Sequence, residues 1–342
     1  MGELKLRQDI KALSTPSRVL ICGLGSIGRR HFRVLRKHWP NLDIAVLRSG
    51  FGLACQESEL ANQVFTSLDD ALAWRPEAAI IATPATDHLS KSLRLAKNGV
   101  PLLIEKPVGT GCELPEDWQE LLELSKTLPI VVAYVLRHNP CVTFLQDQLN
   151  SRKIGKPVEA DFYCGSWLPD WRSGLDYRSC VSARRDQGGG VLLELSHELD
   201  LAQFLLGPIE LDSSLLEQSK LLEIDVEDKA ILIGRSADGC FVTIRLNFCT
   251  KPAKRHAIIR GSAGEICCNL IEGMVTVMQD AIPSESYNFT PAVSTHDGYY
   301  LQMKHFLDCV ARIAWPMCTL SEGLQALELV TQARQKNLGL LV

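Results

Sequence analysis

The sequence predicts an α/β protein with two domains, a doubly wound parallel sheet followed by an α+β domain on an open sheet. Short apolar runs alternate with amphipathic segments over the first part of the chain, whereas the second part contains alternating polar and apolar segments bounded by glycines. The 342 residues suffice for about two domains. We expect the domains to cover residues 1–135 and 136–342.

The first domain is predicted from five buried strands separated by helices. The predicted strands cover residues 18–23, 43–48, 78–83, 102–105 and 130–134. The predicted helices cover 25–37 and 88–97, with a short helix capped by Ser67 and another that begins at Pro115. Continuous apolar strands indicate a parallel sheet covered on both faces. Such a sheet has a ligand crevice at the carboxyl ends of its strands.

A glycine-rich turn joins the first predicted strand to the first helix. Gly23, Gly25 and Gly28 form a GxGxxG pattern in the context that a dinucleotide site requires. Gly23 permits the turn, Gly25 lets a pyrophosphate approach, and Gly28 allows close packing of helix on strand. Ser26 and Ile27 begin the helix, whose free N–H groups favour phosphate.

The end of the second strand indicates which dinucleotide is bound. NAD sites usually have Asp or Glu about 20 residues after the glycines, where it binds the ribose hydroxyls. Here Arg48 and Ser49 follow the strand instead. Arg48 can pair with a 2′-phosphate that a carboxylate would repel. We therefore predict NADP, with NAD as the alternative.

Two further segments contain candidate catalytic residues. Glu105-Lys106-Pro107 ends the fourth strand, where a lysine can bind a substrate hydroxyl and relay its proton. After Gly188–Gly190, a predicted helix contains Glu194, His197 and Glu198 on one face. His197 is the best general acid/base candidate because an unperturbed histidine titrates near working pH. Glu194 and Glu198 are candidate substrate contacts.

The second domain is predicted from six alternating segments. They cover residues 158–163, 229–236, 240–248, 257–260, 265–270 and 274–278. Asp238-Gly239 marks a hairpin turn, and the set indicates an open sheet of five or six strands. Helices are predicted over 299–311 and, capped by Ser321, to 336, and this final pair is expected to pack on the first domain. We expect the free face of the sheet to bury itself against another subunit.

Composition limits the partners and the compartment. The net charge of −4 gives no reason to expect nucleic acid, and no apolar run is long enough for a membrane span. The first 17 residues lack the apolar core of a secretory signal. Twelve scattered cysteines show no metal-ligand spacing, so we expect reduced thiols, no metal and a cytoplasmic protein.

Taken together, these motifs resemble the glucose–fructose oxidoreductase and inositol dehydrogenase (Gfo/Idh/MocA) family over nearly the whole chain. The resemblance adds Ala82-Thr83-Pro84 with His88 to the glycine turn, the Glu105 segment and the 188–207 block. It implies a Rossmann domain, a mostly antiparallel second sheet, and homodimers or homotetramers through that sheet. Lys106 and His197 match the catalytic pair. Thr83, Pro84, His88, Glu105 and Lys106 match cofactor positions, and the resemblance implies a cis Lys106–Pro107 bond.

The 188–207 block departs from the family pattern. Glu194 stands where the family usually has Asp, and His197 comes one residue early. Counting back from Asp200 and Gly207 aligns His197, whereas counting forward from Gly190 aligns Glu198. Both therefore stay candidates for the acid/base role, and we favour His197.

The segment 167–185 is rich in Trp, Tyr and Arg, and it resembles a subgroup associated with nonulosonate and nucleotide-sugar biosynthesis. Aromatic rings stack on sugars, and arginines bind phosphate or carboxylate. We therefore expect Arg172, Tyr177 and Arg178 to hold the substrate of a dehydrogenase that acts on a sugar derivative. The alternatives are a reductase of a non-sugar substrate on the same fold, and a dinucleotide-binding sensor without turnover.

Overall fold

The computed structural model describes residues 15–50, 55–172, 174–279, 282–289 and 295–337. Most of the segment on which the signal-peptide prediction depends, residues 1–14, lies outside these ranges. No helix in the described ranges is long and apolar enough to cross a membrane.

The first domain is a six-stranded parallel sheet in the order β3-β2-β1-β4-β5-β6. Its strands are β1 (Arg18–Cys22), β2 (Asp43–Leu47), β3 (Gln63–Phe65), β4 (Ala78–Ile81), β5 (Leu102–Ile104) and β6 (Ile130–Val132). Its helices are α1 (Ser26–His38), α2 (Gln56–Glu59), α3 (Leu68–Ala73), α4 (His88–Lys97) and α5 (Pro115–Ser125). The order reverses between β1 and β4, where a crevice opens.

The doubly wound fold is confirmed, with one strand more than predicted. β1, β4, β5 and β6 are almost entirely buried because helices cover both faces of the sheet. The additional strand, β3, has only three residues at the edge of the sheet and contains the exposed Val64. A strand so short and half-polar has no distinct periodicity in the sequence.

The second domain contains an eight-stranded sheet in the order β14-β13-β12-β11-β7-β10-β9-β8. The strands are β7 (Pro157–Gly165), β8 (Ile209–Glu217), β9 (Lys229–Ser236), β10 (Phe241–Asn247), β11 (Lys254–Gly261), β12 (Gly264–Asn269), β13 (Met274–Gln279) and β14 (Ile282–Asn288). All neighbours are antiparallel except β7 and β10. The mostly antiparallel sheet is confirmed, but the predicted strand number was wrong because polar residues obscure the pattern of the outer strands β8 and β14.

Helices cover one face of this sheet. They are α6 (Pro140–Asn150), α7 (Val191–Glu194), α8 (His197–Leu206) and α10 (Leu320–Gln335), whereas α9 (Thr295–Val310) packs on α1. α10 begins at an N-cap formed by Thr319 with Glu322, not by Ser321 as predicted. It lies between the domains: Gly323 is crowded by Val132, and Leu211 N donates to Gln332 Oε1 at 3.1 Å.

Candidate active site

A cleft of about 1200 Å³ lies at the carboxyl ends of the parallel strands and extends to the second domain. The residues predicted to bind the dinucleotide line it, except Gly28, which packs beneath it. Its walls also contain Glu194, His197 and Arg172 from the second domain. This volume exceeds that of a pocket for one small ligand, and it accommodates a dinucleotide together with a substrate.

The glycine turn is shaped for a pyrophosphate. A Cβ on Gly23 would lie 2.5 Å from the Ala82 carbonyl oxygen, and one on Gly28 would lie 2.0 Å from the Gly23 carbonyl oxygen. Around Gly25, by contrast, the space for a Cβ is empty to 4 Å among the described residues. α1 then begins without a side-chain cap or an acidic residue in its first turn. The exposed N–H groups and the open approach at Gly25 fit a bound anion.

The outer end of the cleft, beside the carboxyl end of β2, contains basic side chains. Arg48 and Ser49 follow β2 and line the cleft, and Arg48 Nη1 is 3.3 Å from Ser58 Oγ. Asp87, an acid in the cleft lining, is paired with Lys91 at 2.7 Å. The end of β2 therefore presents a guanidinium and a hydroxyl where NAD sites usually present a carboxylate.

Thr83 and His88 connect two strand ends. The His88 ring lies between two carbonyl oxygens, with Nε2 2.8 Å from Thr83 O and Nδ1 2.9 Å from Pro107 O. Burial lowers the pKa of His88, although both carbonyls oppose the effect. His88 thus links the loop that follows β4 to the loop that follows β5. The Thr83 hydroxyl is buried without a partner among the described residues, and it can hydrogen-bond to a bound cofactor.

Lys106 points from the end of β5 towards the second domain. Its Nζ donates a hydrogen bond to the Glu194 carbonyl oxygen at 2.9 Å, and the Lys106–Pro107 peptide bond is cis. Glu105, just before it, accepts from the buried His31 at 2.6 Å.

The segment that contains Glu194 and His197 is not one helix, which corrects the prediction. α7 ends at Glu194 and α8 begins at His197. The Glu198 N–H bonds back to Leu195 at 3.3 Å, whereas a continuous helix would direct it to Glu194. Because of this break, the Glu194 carbonyl oxygen can accept the hydrogen bond from Lys106 Nζ. The shared helical face of Glu194 and His197 was therefore the wrong reason for placing them together.

His197 and Glu198 have different surroundings. His197 lines the cleft, with its ring edge-on to Tyr134 and its Nδ1 buried without a partner among the described residues. Its Nε2 is thus the nitrogen that can face a ligand. Burial, reinforced by the charges of Arg255 and Lys106, lowers the pKa of His197 well below 6.5. Glu198 is buried in an ion pair with Arg255, at 2.6 Å, and does not line the cleft.

The predicted substrate residues separate into two groups. Arg172 lines the cleft beside Trp171. Tyr177 and Arg178 do not: the Tyr177 hydroxyl accepts from Glu223 N at 3.1 Å, and Arg178 pairs with Asp176 and Glu223 at 2.9 and 2.8 Å. The sequence did not indicate the Glu223 partner, because Glu223 lies 45 residues beyond Arg178.

Arg30 and Tyr299 are among the cleft residues that were missed from the sequence. Arg30, on α1, lies 4.7 Å above the Tyr299 ring, on α9, and both line the inner end of the cleft. Arg30 follows the glycine motif and resembles any helical surface arginine. Tyr299 is brought to the cleft only by the packing of α9 on α1, and local sequence contains no signal for that contact.

This arrangement defines a nicotinamide-dinucleotide oxidoreductase site. The oxidoreductase family NAD-binding Rossmann fold matches residues 17–135, and its C-terminal alpha/beta domain matches residues 146–337. The chain belongs to this family, Gfo/Idh/MocA, and the family resemblance seen in the motifs is confirmed.

Curated relatives are distant but extensive. Scyllo-inositol 2-dehydrogenase (NAD(+)) of Bacillus subtilis (strain 168) is 22% identical over 321 residues, which cover 88% of each chain. 2,7-Anhydro-N-acetylneuraminate hydratase of Mediterraneibacter gnavus is 28% identical over 192 residues, 55% of this chain and 48% of the relative.

Solved structures share the fold over almost the whole chain. The WlbA dehydrogenase from Bordetella pertussis, in complex with NADH and UDP-GlcNAcA, has a TM-score of 0.79 at 19% identity and covers 95% of this chain and 96% of its own. A levoglucosan dehydrogenase in complex with NADH has a TM-score of 0.80 at 18% identity, covering 93% and 97%.

Proposed function

We propose that this oxidoreductase prefers NADP(H) and oxidises or reduces a CH–OH carbon of a sugar derivative that carries an anionic group, of the nucleotide-sugar or nonulosonate type. The names of the relatives support a sugar-like substrate. The observation that carries the proposal is that Lys106 and His197, from different domains, line the same cleft and that Arg172 lies in its wall.

The proton chemistry follows from the surroundings of the two residues. When bound, the dinucleotide supplies the hydride acceptor or donor for the substrate carbon. His197 is neutral near pH 7 because its pKa is lowered, and in the tautomer with its hydrogen on Nδ1 the Nε2 atom can accept the proton of a substrate hydroxyl. Lys106 donates one hydrogen to Glu194, and its two others can stabilise negative charge that develops on the substrate oxygen.

Substrate recognition is assigned to Arg172 and Glu194, which line the cleft. The described structure shows no hydrogen bond or ion pair to the Arg172 guanidinium, which can therefore bind a phosphate or carboxylate. The Glu194 carboxylate can accept from sugar hydroxyls. Tyr177 and Arg178 stay in the proposal as residues that hold the 166–190 loop in place.

The proposal is tested by titrating the protein with NADPH and NADH and then screening neutral and acidic sugars and UDP-sugars for dinucleotide turnover. We expect tighter NADPH binding and turnover with a substrate that carries a phosphate or carboxylate. Turnover confined to neutral polyols would contradict the anionic class, and binding of neither dinucleotide would contradict the whole proposal.

Replacing Arg48 tests the choice of dinucleotide. Arg48→Ala should raise the Kd of NADPH by about tenfold or more and change the Kd of NADH less than about threefold, because only NADPH has a 2′-phosphate. Fluorescence titration of both forms gives the two constants. The matched control is Arg36→Ala. Arg36 lies near the C-terminal end of α1 and bonds to the Pro40 and Leu42 carbonyl oxygens. Equal losses for both dinucleotides would contradict the assignment.

The acid side of the pH profile tests His197. Its protonated form cannot accept a proton, and burial keeps its pKa well below 6.5. The kcat/KM for oxidation should therefore stay level from neutral pH down to about 6.5 and fall only at lower pH. His38→Gln, at the C-terminal end of α1 and away from the cleft lining, should leave this profile unchanged. An acid midpoint above 6.5 would show that another group accepts the proton.

We also propose that the open face of the eight-stranded sheet joins subunits into a homodimer or homotetramer. Leu215 and Ile231 face each other across β8 and β9, and they are 45% and 37% exposed. Tyr163 and His256 stack farther along the same face, 5.1 Å apart. Such a surface is suited to burial against a second copy. All twelve cysteines are free thiols, which supports a reducing compartment, the cytoplasm.

A further inference from the structure

A buried histidine–carboxylate pair lies at the inner end of the cleft and is not used in the mechanism above. His31, on α1, is fully buried, and its Nε2 lies 2.6 Å from Glu105 Oε1. The second carboxylate oxygen accepts from the Lys106 backbone N–H at 3.2 Å. Glu105 itself lines the cleft, immediately before the proposed catalytic lysine.

The hydrogen bonds define the charge of this pair. His31 Nδ1 is buried without a partner among the described residues. A neutral imidazole with its hydrogen on Nε2 donates to Glu105 and leaves only an acceptor unpaired. A protonated imidazole would bury a further N–H with no acceptor, which is costly. The pair therefore carries the single negative charge of Glu105.

The other carboxylates that line the cleft do not directly precede the proposed catalytic lysine. Asp87 is paired with Lys91 at the outer end, and Glu194 lies on the wall formed by the second domain. Two cations of the cleft lining are directed to other groups: Lys106 Nζ bonds to the Glu194 carbonyl oxygen, and Arg30 lies over Tyr299. Since Lys106 must reach the reacting oxygen, the adjacent Glu105 lies at the reactive end of the dinucleotide site.

We propose that Glu105, held by His31, makes this site favour the oxidised dinucleotide over the reduced one. The oxidised nicotinamide ring carries a positive charge and the reduced ring carries none. A fixed carboxylate that lines the cleft therefore attracts only the oxidised form. The inference rests on the proposed function for the placement of the reactive end, and it adds a determinant of oxidation state to it.

The test measures the Kd of the oxidised and reduced dinucleotides by calorimetry, for NADP and for NAD, with no substrate present. Glu105→Gln retains an acceptor for His31 but removes the charge. It should raise the Kd of the oxidised form about tenfold and that of the reduced form less than about twofold. Asp87→Asn is the matched control, and it should change both constants by the same factor.

A second variant keeps the test decisive if Glu105→Gln does not fold. His31→Leu leaves the carboxylate but removes its donor, and it should shift the ratio of the two constants in the same direction by about threefold. An equal change for both forms in either variant would reduce the pair to a structural role and overturn the inference. Failure of the proposed sugar chemistry would appear separately, as wild-type protein that binds dinucleotide but turns over no sugar.

Discussion

Lys106→Ala is expected to lower kcat by about 100-fold or more while the Kd of NADPH changes less than about threefold. The loss follows because the Lys106 ammonium is the group that the structure directs across the cleft, held by the Glu194 carbonyl oxygen at 2.9 Å. Alanine leaves the glycine turn and Arg48 intact. Steady-state kinetics and fluorescence titration of the same preparation separate turnover from binding.

Two further lysine variants test whether the loss of turnover is specific to the Lys106 ammonium. Lys126→Ala, at an exposed site after α5 where the lysine pairs with Glu123, should leave kcat unchanged. Lys106→Arg keeps the charge but replaces a compact ammonium with a planar guanidinium, so we expect an intermediate kcat. If Lys106→Ala retained more than about a tenth of the turnover, the proton would have to move through His197 alone. A sensor would keep its output in this variant.

Arg137→Met is expected to lower the free energy of unfolding by about 3–5 kcal/mol. The Arg137 guanidinium binds both oxygens of Asp200, at 2.7 to 3.2 Å, and also Glu322 Oε1 and the Met317 carbonyl oxygen. The Arg137 and Asp200 side chains are each 2% exposed. Removing the arginine leaves a buried carboxylate without its counter-charge, where the segment before α6 meets α8 and α10. Urea unfolding followed by tryptophan fluorescence measures the effect.

A double variant distinguishes the buried charge from lost packing. Adding Asp200→Leu to Arg137→Met should restore most of the stability, because no unpaired charge then stays buried. Lys97→Met is the control at an exposed ion pair with Glu120, and it should have no measurable effect on unfolding. A double variant as unstable as the single one would show that packing, not charge, accounts for the loss.

Patterns of buried strands made the first domain predictable. Apolar runs such as 18–22 and 78–81 can be buried on both sides only in a covered parallel sheet, and Gly23 to Gly28 then mark the dinucleotide turn. The second sheet was predictable in type but not in extent. β8 and β14 depend on pairing with neighbours, and their own residues alternate weakly.

The active site was only partly predictable, for a geometric reason. Lys106 and His197 were predicted because each stands in a recognisable motif, and both line the cleft. Tyr177 and Arg178 were predicted from a segment that is just as distinctive in composition. The structure places them in contact with the 217–227 segment and not on the cleft. Whether a polar side chain faces a ligand or a neighbouring loop depends on contacts between distant segments.

The sequence by itself determined the fold class, the dinucleotide turn, the absence of a carboxylate after β2, and the candidate pair Lys106 and His197. Local spacing suffices for the turn, for the end of β2 and for each member of the pair, and the alternation of strands and helices along the chain suffices for the fold class. Only the tertiary structure determines that Glu198 forms an ion pair with Arg255 and that Glu105 forms a hydrogen bond with His31. These contacts join residues 57 and 74 positions apart, and they form only when the helices and the two sheets are packed together.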